Sequence, residues 1–232
     1  MTDFILHLAD NALVLGHRNS EWTGHGPILE QDIALSNIAL DLIGQSRNLY
    51  QYAAELMGNG PTEDSLAYLR GPEEYKNALL VEQPNGHWGK TILRQFLFSA
   101  YQFPLYEFLS QHPDERLVGI AKKSIKEVTY HLRWSSEWVI RLGQGTEVSN
   151  EKMKDAVKEL WPFTDDLLLH AESEVKGKWQ KRVDEVLNMA ALEVPKDVEM
   201  IRGGRDGQHT EHLYKMLEEM QYLQRTYPGV EW

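Results

Sequence analysis

The chain has 232 residues, 42% of them apolar, enough to close the core of one large domain. Its 24 Lys and Arg stand against 35 Asp and Glu, and the resulting charge of −11 repels phosphate backbones and anionic lipid, which counts against a nucleic-acid or membrane partner. There is no cysteine, so disulfides, thiolate zinc sites and cysteine nucleophiles are excluded, and a redox metal would have to rest on carboxylates and imidazoles.

The opening residues interleave Asp3, His7, Asp10 and Asn11 with apolar ones and have no basic stretch ahead, unlike a secretory signal. No apolar run approaches the roughly 20 residues that span a bilayer, so the cytoplasm is the expected location. Period-3.6 spacing predicts a first helix over 3–16, with Ile5, Leu8, Ala12 and Leu15 on one face. A loop over 17–27 holds Trp22, His25 and Pro27. A long helix over 28–57 follows, stopped by Gly58 and Gly60. Residues 58–87 read as mostly loop, broken by Pro61, Pro72 and Pro84, with a short helix near 63–69. A helix over 88–110 contains Pro104, which removes one backbone bond and predicts a kink. Over 114–142, Leu117, Ala121, Ser124, Val128, His131, Ser135, Trp138 and Leu142 step alternately by four and three, the spacing of a bundle seam. Helices over 150–175 (Ser149 as N-cap, bent at Pro162) and 179–191 come next. A flexible loop at Gly203, Gly204 and Gly207 leads to a last helix over 208–226 that buries Leu213, Met216, Leu217, Met220 and Leu223. Long helices joined by short connections predict an all-α bundle with no sheet, one domain over 1–232, with 28–57, 88–110, 114–142 and 150–175 as its main members.

A bundle with inward carboxylates raises the question of a di-iron site, which needs two Glu-x-x-His pairs and two further carboxylates. None of the nine histidines has Glu three positions earlier. Glu127-Val-Thr-Tyr130-His131 looks like a damaged version, because Tyr130 stands where histidine belongs. Glu127 and His131 share a face at i, i+4, either as a buried carboxylate–imidazole pair or as relics of ligands. On the long helix, Asn37, Asp41, Gln45 and Asn48 make a polar stripe, read as a solvated edge or a subunit contact, with Asp41 as the relic of a ligand carboxylate the alternative. His209 and His212 are dense in ligand nitrogen but also fit a helix start. Arg202-Gly-Gly-Arg-Asp-Gly207 lacks the strand and Lys-Ser/Thr ending of a phosphate loop. Tyr75, Lys76, Asn77 and Lys176 are candidate contacts for the phosphates of a bound ligand.

Several stretches together resemble one family. They are Asp10-Asn-Ala-Leu-Val-Leu15, Glu21-Trp22 with Gly24-His25, Asn37-Ile-Ala-Leu-Asp-Leu-Ile-Gly-Gln45 and Leu80-Val-Glu-Gln-Pro-Asn-Gly86. Ile125-Lys-Glu127 with Tyr130-His-Leu-Arg133, His209-Thr-Glu-His-Leu213, Glu219-Met-Gln-Tyr-Leu-Gln-Arg225 and Trp232 complete the set. In order and spacing they resemble the PaaC-type subunit of ring-1,2-phenylacetyl-CoA epoxidase, or phenylacetate-CoA oxygenase, with residues 170–200 matching least and running shorter. The resemblance implies a ferritin-like fold and a structural role. In that family a sister subunit carries the di-iron centre and binds phenylacetyl-CoA, and NADPH supplies electrons through a separate flavin and iron–sulfur reductase. The expectation is therefore a chain with no cofactor of its own that holds the catalytic subunit and meets CoA, if at all, within the complex. Two other readings remain open. One is a self-sufficient di-iron enzyme using Asp41, Glu127, His131, His209 and His212, and the other is a helical adaptor unrelated to oxygenases. For the partner surface, the long helix with Trp22, His25 and Trp88 beside it, and the tail from Tyr227 to Trp232, are the candidates, because aromatic side chains make strong interface anchors.

Overall fold

The computed structural model describes residues 1–58 and 60–230, and every regular element among them is helical. In chain order these are α1 (Thr2–Ser20), α2 (Leu29–Met57), α3 (Glu63–Tyr68), α4 (Leu79–Glu82), α5 (Trp88–Leu109), α6 (Glu115–Gly143), α7 (Glu147–Leu160), α8 (Thr164–Leu168), α9 (Ser173–Met189), α10 (Glu211–Met220) and α11 (Tyr222–Thr226). The architecture is all-α and consistent with a ferritin-like bundle. Its two tightest pairs are α1 on α2 and α5 on α6, and α2 packs in turn on α6.

The fourth main member is α1 rather than the expected 150–175 helix. Residues Ile5 to Gly16 are buried without interruption, so α1 is enclosed on all sides and not only along its apolar face. Fully burying a Leu or Ile is worth roughly 1.5–3 kcal/mol, and Ile5, Leu8 and Leu15 are all sealed. The 150–175 segment splits instead. Thr146, not Ser149, caps α7 by accepting a hydrogen bond from the Ser149 amide at 3.1 Å. Pro162 ends that helix in a single 3₁₀ turn over Trp161–Phe163. By contrast, α5 runs on through Pro104 to Leu109. The final segment begins as extended chain at His209 and Thr210, and Leu223 lies exposed rather than in the core.

Residues 75–83 are almost wholly buried and 75–78 carry no helix, so their backbone groups need partners other than water. The polar residues of α1 supply them. The Asn11 amide oxygen accepts from the Ala78 amide at 2.8 Å, the Asp10 carboxylate from the Lys76 amide at 2.7 Å, and the His7 ring donates Nδ1–H to the Lys76 carbonyl at 2.6 Å. Nor is the glycine loop slack. A Cβ on Gly204 would meet the Asn77 carbonyl oxygen at 2.2 Å, and one on Gly207, whose φ is +78°, would meet that of Glu73 at 2.3 Å. Glycine is required there by close backbone approach.

Candidate functional site

The bundle interior carries a polar layer where α2, α5 and α6 face one another. Gln45 on α2 is sealed and occupies its centre. Its Nε2 donates to Glu127 Oε2 of α6 at 2.8 Å, and its Oε1 accepts from Gln102 Nε2 of α5 at 2.9 Å and from the Tyr106 hydroxyl at 3.3 Å. Gln102 and Tyr106 are one helical turn apart, so both reach the same amide. The layer extends toward α1, because Asn19 donates to Gln95 Oε1 at 2.7 Å and Gln95 donates to Ser99 at 2.8 Å. Partial burial raises the Glu127 carboxyl, while the Gln45 amide draws it back down. Burial of the Tyr106 hydroxyl pushes it well above its ordinary range.

The polar stripe of α2 is therefore divided. Gln45 turns inward and Asp41 sits at the boundary, while Asn37 is exposed and Asn48 returns its side chain to the Gly44 carbonyl at 2.9 Å. The three suspected ligand relics do lie together, but not in the expected pairing. His131 Nε2 meets Asp41 at 3.0 Å across the α2/α6 contact, whereas Glu127 is held by Gln45. An i, i+4 register let Glu127 and His131 share a face, but each finds a better-aimed partner on α2. Sequence reasoning missed Gln102 and Tyr106. The signal was present: Gln95, Ser99, Gln102 and Tyr106 step by four, three and four, the same seam spacing that picked out α6.

A di-iron centre needs carboxylates to balance the metal charge, and this layer offers amides at the positions facing Glu127. Amide groups satisfy one another as donor and acceptor and bring no negative charge. No three His, Asp or Glu side chains among the described residues gather closely enough to hold a metal ion. The donor set does not fit the cofactor.

A second polar cluster joins α1 to the C-terminal segment. Arg70 and Asp10 form a buried ion pair that also engages the Tyr50 hydroxyl, and the Arg70 guanidinium lies 4.3 Å from the centre of the Tyr75 ring. Glu82, fully buried, accepts from Asn77 Nδ2 at 2.8 Å, from the Thr210 amide at 2.7 Å and from His209 Nδ1 at 2.8 Å. His209 Nε2 meets the Tyr75 carbonyl at 3.0 Å. Both partners of this imidazole are acceptors, so the protonated ring, with hydrogen on both nitrogens, is the form that satisfies them. Burial opposes that charge, but Glu82 outweighs it and the ring titrates above its ordinary value. His209 and His212 thus do not converge on a metal. His209 is committed to Glu82, and His212 contributes its carbonyl to Arg18 at 2.9 Å.

The four candidate ligand contacts fall in two places. Tyr75 and Asn77 are sealed from solvent within the cluster just described, with the Tyr75 hydroxyl on the Ala67 carbonyl and Asn77 on Glu82, so neither presents a group to a surface ligand. Lys76 is half-buried. Lys176 is exposed on α9, its ammonium 3.3 Å from the Leu169 carbonyl. Trp22 and Trp88 stack edge-to-face at 5.1 Å, with Trp22 donating to Thr91, so these rings close the chain's own core rather than project from it. His25 remains exposed in its loop, and Glu231 and Trp232 lie outside the described residues.

Against known proteins, the model of the phenylacetic acid catabolic protein family matches residues 1–232. The chain belongs to this family. It is also 46% identical to the C-type subunit of 1,2-phenylacetyl-CoA epoxidase from Escherichia coli (strain K12), an alignment that covers 100% of this chain and 99% of the relative. No helix among the described residues is long and apolar enough to cross a membrane.

Proposed function

We propose that this chain is the non-catalytic, C-type subunit of a phenylacetyl-CoA epoxidase, acting in the cytoplasm in aerobic phenylacetate catabolism. The full-length identity to the Escherichia coli epoxidase subunit carries the reading. The amides of Gln45 and Gln102 support the further claim that the di-iron centre belongs to a partner subunit, with electrons arriving from a separate NADPH-dependent flavin and iron–sulfur reductase. The role of this chain is to hold and shape that partner within one folded domain. Phenylacetyl-CoA meets it only in the assembly, with Lys76 and Lys176 as the residues able to approach its phosphates.

The partner surface is the outer face of α2. Leu29, Ile33 and Leu40 are 71%, 51% and 66% exposed, and with Asn37 they fall along one stripe of that helix. Apolar groups left in water along a single face mark an interaction surface, and a stable complex buries well over roughly 1,000 Å². Asp41 and Tyr130 border the stripe where α2 meets α6.

The test has two arms. Iron analysis of the chain expressed alone should give far less than one iron per chain, and two irons per chain would overturn the assignment. Co-expression with the metal-carrying subunit should give a stable complex that Leu29→Ser with Leu40→Ser weakens, as should Asn37→Ala with Asp41→Ala and Asn48→Ala. Full association of both sets, with folding intact, would remove α2 from the interface.

A further inference from the structure

A small cavity lies apart from both polar clusters, between the start of α1, the end of α5, the α8–α9 connection and the glycine loop. Its volume is about 70 Å³. Phe4, Leu105 and Leu109 form its apolar floor. Six polar side chains line it, and two of the inner ones are already satisfied. The Asp166 carboxylate accepts from the Leu79 and Gly203 amides, each at 2.8 Å. His7 donates through Nδ1 to Lys76 and accepts at Nε2 from Asn11 at 3.2 Å, and burial drives its pKa down to about 4, so it stands neutral.

Tyr101 and Arg205 are donors without acceptors. Tyr101 is 4% exposed and its hydroxyl has no hydrogen-bond partner among the described residues. Burial pushes that hydroxyl up to about 12, so it keeps its proton, and the Arg205 charge is near enough to pull against the shift. Arg205 has no ion pair or hydrogen bond among the described residues, although Arg202 nearby pairs with Asp165. The Tyr101 hydroxyl and the half-buried Arg205 guanidinium thus line one cavity as two donors with no protein acceptor among the described residues, an arrangement that suits an acceptor-bearing ligand. A guanidinium favours a carboxylate in particular, which it grips with two parallel bonds. His170 and the Glu172 carboxylate stand at the rim, and Glu172 selects against ligands with a second negative charge.

We propose that this cavity binds a short monocarboxylate, its two oxygens on Arg205 and the Tyr101 hydroxyl and its alkyl tail on Phe4, Leu105 and Leu109. Size follows from volume. A water-sized group needs about 10–15 Å³ of such space, so the cavity takes about five non-hydrogen atoms, the size of propionate. The site is independent of the role assigned to the chain above.

Calorimetric titration of the full chain with sodium propionate tests it, with propionamide as the neutral isostere. A Kd on the order of 1 mM is expected for an acid of this size. Tyr101→Phe and Arg205→Gln should each weaken binding at least tenfold, and propionamide should bind at least tenfold more weakly than propionate. Neither variant breaks an internal hydrogen bond, so both should fold with unchanged melting temperature. Equal binding of acid and amide, undiminished binding by both variants, or no heat with propionate up to about 50 mM would each overturn the proposal.

Discussion

The two polar clusters of this molecule are buried to a similar depth and built on opposite principles. Between α1 and the C-terminal segment, Asp10–Arg70 and Glu82–His209 are ion pairs whose remaining valences go to backbone amides and carbonyls. Between α2, α5 and α6, Gln45 and Gln102 dominate, and Glu127 is the one carboxylate they hold. The difference follows from what each cluster must satisfy. Residues 75–78 are irregular chain inside the protein and 209–210 are irregular chain packed part-buried against them, and charged groups make the strongest bonds to stranded amides. Three regular helices satisfy their own backbones, so amides that merely satisfy one another suffice between them.

The largest effect should come from breaking the charged cluster. Asp10→Asn leaves the Arg70 guanidinium buried without its counter-ion, and losing one member of such a pair costs about 3–5 kcal/mol. Denaturant unfolding measures this, and a loss below about 1 kcal/mol would show that the pair is open to water. Next is Gln102→Glu, which sets a second carboxylate against the cluster that holds Glu127. Like charges in one site raise a carboxyl pKa, so the variant should lose about 1–3 kcal/mol at pH 7.5 and recover much of it at pH 5. A loss independent of pH would mean the new group escapes to solvent.

Smaller and more specific is the pH dependence of Glu82–His209. The folded pKa of His209 is raised, so the pair contributes fully below the ordinary histidine value of 6.5. That contribution declines as pH climbs through the folded pKa. Wild type should therefore lose stability relative to His209→Gln as pH rises above about 6.5, and parallel pH profiles would show that the ring is neutral throughout. His131→Ala should lower stability by about 1–3 kcal/mol, since it opens the seam, while Asp41→Asn should cost under about 1 kcal/mol because that carboxylate is partly in water. Leu40→Ser should fall within about 0.5 kcal/mol of wild type, because its side chain stands mostly in water.

Much of the bundle is legible in the sequence because seam spacing is a local property. The α6 pattern from Leu117 to Ser135 is a ladder of buried side chains, and the long α2 ends where Gly58 stops it. The buried stripe of α5 follows the same rule and was legible too. What local pattern does not carry is which helix fills the fourth place. α1 shows its apolar face in the sequence, but its polar residues are aimed at a loop about 65 residues away, and that distant packing encloses it on every side. The pairings of Asp41 and Glu127 likewise depend on helix–helix register, which i, i+4 spacing within α6 cannot report. The flexibility expected of the glycine loop failed because close packing and looseness both call for glycine.

The long reach of the Glu82 contacts bears on how the chain can be made. Arg18 binds the carbonyl of a residue 194 positions later, and Glu82 waits for partners 127 and 128 positions downstream. Synthesis runs at about 5–20 residues per second, so a ribosome has the bundle helices assembled for several seconds while a bare carboxylate sits in their flank. Contacts so distant in sequence close slowly and late. The nascent chain therefore emerges as a bundle with an unsealed side, finished only when the segment around His209 leaves the exit tunnel, and a partner subunit arriving before that moment meets a different surface from the one it meets afterwards.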